Sequence, residues 1–112
     1  MKIVIDTNIL ISTIMSSDGI IGTFLLKDIY PGFSPSYISY LTPVGNTVFF
    51  QAEDDVNGIE LWKSDGTPAG TVLVKDIEPG LDGSNPYYLI NFNGTLFFTA
   101  TTIANGTELW KS

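Results

Sequence analysis

Glu60-Leu61-Trp62-Lys63-Ser64 returns as Glu108-Leu109-Trp110-Lys111-Ser112, and this recurrence decides how the rest of the chain is read. A repeat has to be recognised before any local element, because its period sets the architecture. Working outward at the same offset of 48, Gly22-Thr23 meets Gly70-Thr71, and Lys27-Asp28-Ile29 meets Lys75-Asp76-Ile77. Pro31-Gly32 meets Pro79-Gly80, Ser36 meets Ser84, Tyr40-Leu41 meets Tyr88-Leu89, Phe49-Phe50 meets Phe97-Phe98, and Asn57-Gly58 meets Asn105-Gly106. The register never slips, and 22 of the 43 aligned positions are identical, so two consecutive units are present. Upstream, Ser17-Asp18-Gly19 matches Ser64-Asp65-Gly66 at an offset of 47. The chain therefore divides into an N-terminal segment, 1–16, a first repeat, 17–63, and a second, 64–112.

Within the first unit four β-prone runs alternate with turn signals: Thr23 to Ile29, Tyr37 to Thr42, Thr47 to Ala52 and Ile59 to Lys63. Pro31-Gly32, Gly45-Asn46 and Asn57-Gly58 lie between them, and Asn-Gly is a strong hairpin signal because both residues tolerate positive φ. After position 16 no window shows apolar spacing of 3.6, so an all-β fold of two four-stranded antiparallel units is predicted. In the third run Val48, Phe50 and Ala52 point one way and Thr47, Phe49 and Gln51 the other, which places large apolar groups on both faces. Such a strand must be covered twice, as in a blade-like sheet stacked between neighbours. Rings of such blades need about 4 to 8 of them, so two units predict a partial propeller, an open stack or a self-associating subunit.

Composition narrows the chemistry. The chain has no Cys, His or Arg, which removes thiolate nucleophiles, disulfides, Cys/His zinc sites, histidine bases and arginine clamps. Twelve acidic residues against five lysines give a net charge of −7, which opposes binding to nucleic acid or to anionic membrane surfaces. The apolar run from Ile3 to Met15 is interrupted by Asp6 and Asn8, a poor match to a signal peptide, and no run reaches the roughly 18 apolar residues of a spanning helix. The absence of cysteine fits any compartment, the cytoplasm included.

The stretch from Glu60 to Thr67, Glu-Leu-Trp-Lys-Ser-Asp-Gly-Thr, followed by Gly70-Thr71 and Val74-Lys75-Asp76-Ile77, resembles the ELWxxDGT repeat of large bacterial proteins, often surface-located or secreted. The resemblance covers residues 17–112 and implies a β-propeller-like array, an extracellular or cell-surface setting, and no catalytic residue or cofactor. Ile14-Met15-Ser16 departs from it, standing where Leu-Trp-Lys would precede Ser17. The function expected is therefore a non-catalytic scaffold or binding surface for a protein or glycan partner, associating through uncovered sheet faces or further repeats.

Met1 to Ser12 reads differently and resembles the opening of PIN-domain ribonucleases, where a strand delivers an aspartate to a metal site and a helix follows. That resemblance implies magnesium or manganese at Asp6, with Asn8 supporting the turn, and it makes the alternative function an inactive remnant of a divalent-metal ribonuclease. A hard divalent cation needs several oxygen ligands held rigidly, and the carboxylates downstream belong to the repeat. The competing reading makes Lys2 to Ile5 a third strand and Ser12 to Ser16 a fourth, packed against the first unit.

Two further groups carry alternatives. Glu53, Asp54, Asp55, Asn57 and Glu60 cluster around one hairpin loop, with Asp54, Asp55, Asn57 and Glu60 as candidate calcium ligands. The spacing is not that of an EF-hand, and the matching stretch Thr101 to Glu108 keeps only Asn105, Gly106 and Glu108, so a solvated turn is the preferred reading. Trp62 and Trp110 could each stack on a sugar or pack between adjacent sheets, and packing is the commoner use of a large ring on a repeated strand. The sequons at Asn93 and Asn105 fall where tight turns want Asn-Gly, and both are read as turns.

Overall fold

In the computed structural model, the backbone is described for residues 2–5, 9–15 and 21–112, and side chains from Thr23 onward. Among the described residues ten strands form three antiparallel sheets, and there is no helix. The middle sheet holds β4 (Ser39–Val44), β5 (Thr47–Asp54), β6 (Gly58–Ser64) and β7 (Val72–Lys75) in that order. Its successor holds β8 (Tyr87–Phe92), β9 (Thr95–Thr102) and β10 (Gly106–Lys111), and its predecessor β1 (Lys2–Ile5), β2 (Ile9–Met15) and β3 (Ile21–Asp28). The hairpins follow from their turn residues. Asn93 and Gly94 both take positive φ, a two-residue turn that matches strand twist, whereas at Gly45-Asn46 only the glycine does. At Asn57-Gly58 the chain departs from the two-residue turn read from the sequence. A three-residue turn ends at Asn57, and Gly58 alone takes the left-handed conformation, with φ 69°.

The sheet boundaries fall one strand later than the repeat boundaries. Thr23 to Ile29 was expected to open a four-stranded unit, but β3 pairs with β2 and closes the preceding sheet, while its counterpart β7 closes the middle one. The two long connections explain the difference. Residues 29–38 carry Pro31, Gly32 and Pro35 and lead to a new sheet, as do residues 76–86. The Asp65 to Thr71 loop instead folds on itself. The Thr67 N–H and hydroxyl both donate to Asp65 Oδ1 (2.9 and 2.7 Å), the Gly70 N–H donates to Thr67 Oγ1 (2.9 Å), and Thr71 Oγ1 donates to the Thr67 carbonyl (2.8 Å). That compact loop returns the chain beside β6, so one four-stranded sheet lies between two three-stranded ones.

The N-terminal segment joins this pattern as two strands. Residues 9–15 are paired with both β1 and β3, so the helix implied by the ribonuclease-like opening is replaced by a strand. Leu10 stands opposite Lys27 with a bulge after it, as Leu61 stands opposite Lys75. Asp6 and Asn8 lie outside the described residues.

The two faces of β5 are buried separately. Phe50, Ala52 and Trp62 pack with Leu26 and Ile29 of the preceding layer, and Phe49 and Leu61 pack with Leu96, Phe98 and Ala100 of the following one. Phe98 and Ala100 are the counterparts of Phe50 and Ala52, so the same pair of faces meets at both junctions. Burying large side chains such as Phe50, Leu61 and Leu96 completely contributes roughly 1.5 to 3 kcal/mol each.

Candidate functional site

The acidic cluster is taken apart by the fold. Asp54 uses Oδ1 to accept from the N–H groups of Val56 (3.0 Å) and Asn57 (2.5 Å), and Oδ2 to accept from Asn57 Nδ2 (2.7 Å). Its carboxylate, like the Asn57 amide, thus closes its own turn, and Asp55 is exposed. Glu60 is fully buried and faces the connection that leads to the next sheet. Its Oε1 accepts from the N–H groups of Glu78 and Ser84 (both 3.0 Å), and its Oε2 from the Ser84 hydroxyl (2.5 Å). Burial raises its pKa above the usual 4.5, partly offset by these hydrogen bonds. Among the described residues, no three acidic side chains come together as metal ligands.

Trp62 is only 7% exposed and sits in the junction between the first two sheets. Trp110 is half-buried against the second junction, and the indole N–H of each ring is buried without a partner among the described residues. Trp62 presents no open face to a sugar, and Trp110 is partly covered. One open cleft of about 250 Å³ lies between the connection at Glu78 to Asn85 and the β9–β10 hairpin at Thr101 to Ile103.

The surface feature that stands out lies on the first strand of the middle sheet and of the third. The pairing of β4 with β5 shifts between Ser39 and Thr42, and that of β8 with β9 between Tyr87 and Ile90, so Tyr40 and Tyr88 sit in matching bulges. Both have left-handed backbones, with φ 61° and 54°, a conformation rare for an aromatic residue. Tyr37 has φ 48° as well. Tyr40 packs edge-on to Tyr87 with centroids 5.4 Å apart, and Tyr87 lies 6.4 Å from Tyr88. All four rings are exposed, Tyr88 by 81%. A bulge re-aims a side chain, and here two of them turn phenol rings outward into one cluster. The sequence carried a partial signal, since Tyr40-Leu41 and Tyr88-Leu89 match across the repeat; the backbone twist that exposes the rings had none.

The chain matches no known family model, no curated protein and no solved structure.

Proposed function

We propose that this protein is a non-catalytic, propeller-like repeat scaffold that binds a glycan or protein partner through Tyr37, Tyr40, Tyr87 and Tyr88. The observation that carries this reading is the paired bulge. Holding a bulky residue at positive φ costs on the order of 1 to 3 kcal/mol, and rings left in solvent return little of that cost as packing. Strain kept at an exposed position points to use of the side chain. Tyrosine suits such a surface, because it offers a rigid apolar face for a sugar ring or side chain and a hydroxyl that hydrogen-bonds at the rim. The net charge of −7 favours neutral or cationic ligands over anionic ones.

The reading is tested by titrating neutral oligosaccharides and cationic peptides against the parent chain, Tyr40→Ala and Tyr88→Ala. The expected result is binding that weakens at least tenfold, about 1.4 kcal/mol, in either variant while the folding stability changes by no more than about 1 kcal/mol. Binding that is indifferent to both substitutions, or no binding across the panel, contradicts the proposal.

A further inference from the structure

The two ends of the sheet stack carry complementary deficits. At the third sheet, Phe92, Phe97 and Leu109 are the counterparts of Val44, Phe49 and Leu61, which in the middle sheet are packed against the next layer. Here they line, with Ile90, an open apolar hollow of about 330 Å³, and Leu109 is 70% exposed. Next to the hollow, β10 pairs among the described residues with β9 alone, whereas β6 is flanked by β5 and β7. Glu108 is exposed, although its counterpart Glu60 is buried and accepts from Ser84. At the opposite end the missing group is the acceptor. Ser36, the counterpart of Ser84, is fully buried, and its Oγ has no partner among the described residues.

We propose that these ends meet between two copies of the chain: β3 and the middle sheet of a second copy dock on the third sheet of the first, in the place held by the β1–β2 hairpin within one molecule. The proposal rests on the stacked-sheet scaffold reading and not on the tyrosine cluster. In the middle sheet, Leu61 stands opposite Lys75 and Trp62 opposite Leu73. The same register sets Leu109 opposite Lys27 and Trp110 opposite Leu25 of the second copy. One ladder, β2 on β3, is exchanged for another, β10 on β3. With three pairs in the β6–β7 register against seven between β2 and β3, the new ladder is shorter, and the covered apolar side chains and the Ser36–Glu108 contact offset the difference. The exchange adds a fourth strand to the third sheet and covers Ile90, Phe92, Phe97 and Leu109. It also gives the Ser36 hydroxyl a carboxylate to donate to. A dimer of two identical hollows covers Leu109 but supplies neither a strand for β10 nor a donor for Glu108, and an unrelated peptide added at the β10 edge brings no counterpart of the buried, unpaired Ser36 hydroxyl.

The test is light scattering coupled to size exclusion, with backbone amide exchange, on the full chain and on Ser36→Ala, Glu108→Ala and Leu109→Glu. The expected result is association in the micromolar range with β10 amides protected in the associated form. Leu109→Glu abolishes association, and Ser36→Ala and Glu108→Ala each weaken it at least tenfold. Ser36→Ala leaves the unfolding midpoint of the dilute monomer unchanged or higher, because an unpaired buried hydroxyl is removed, which separates its effect from loss of folding. A chain that stays monomeric throughout overturns the proposal. So does association that depends on Leu109 but not on Ser36 or β10. Loss of tyrosine-dependent ligand binding leaves association untouched, so the two readings fail separately.

Discussion

Trp62 and Trp110 occupy the same place in the repeat and differ in burial, which gives them different energetic weight. Truncating Trp62 removes a ring held between two sheets, so Trp62→Ala is expected to cost about 3 to 5 kcal/mol, and Trp110→Ala less. Denaturant midpoints check the order, and equal or negligible losses would contradict the packing described. Glu60 carries a pH dependence of definite sign. Burial raises its folded pKa above 4.5, so the native state keeps its proton to higher pH than the unfolded chain. Stability therefore falls as pH rises from about 4.5 through the raised value and levels off beyond it. Glu60→Gln keeps an oxygen for the two N–H donors and should remove that slope, visible as a flatter profile of midpoint against pH. Asp65, whose carboxyl is held below 3.8 chiefly by the hydroxyl and N–H of Thr67, acts in the opposite sense. Its contribution is present above 3.8 and is lost only as pH falls below it.

At the scale of strands and turns, the bulges at Tyr40 and Tyr88 separate ligand contact from folding. Tyr88→Gly relieves a positive φ that glycine adopts freely, though glycine also gains entropy in the unfolded chain. The net change expected in the unfolding midpoint is small, within about 1 kcal/mol, while any tyrosine-dependent binding is lost; a loss of several kcal/mol would show that the ring is structural. Strands β4, β5 and β6 were legible to within about two residues, because alternation and Gly-bearing turns are local signals. The partner of Thr23 to Ile29 was not. Periodicity marks a strand without naming its neighbour, and for its counterpart β7 the choice is made by Asp65, Thr67, Gly70 and Thr71 folding the loop after β6 back on itself. The acidic cluster misled for a related reason. Asp54 and Glu60 lie six residues apart in sequence, yet one closes its own turn and the other crosses to Ser84. The tyrosine cluster stayed hidden because a left-handed tyrosine has no sequence mark.

Among the described residues, the whole molecule is a stack of sheets joined by one repeated pair of faces. The ribonuclease alternative rests on Asp6 alone, and one carboxylate cannot assemble a multidentate metal site or neutralise a scissile phosphate. A digestion time course of RNA with manganese is therefore expected to give no cleavage for the parent chain or for Asp6→Asn; cleavage lost only in the variant would restore that alternative. The stack itself is tested most directly by nuclear Overhauser contacts in the labelled full chain. The account predicts contacts from Phe49 and Leu61 to the set Leu96, Phe98 and Ala100, and from Leu26 and Ile29 to the set Phe50, Ala52 and Trp62. A spectrum with the strand pairings inside each sheet but without those two sets of contacts would contradict it.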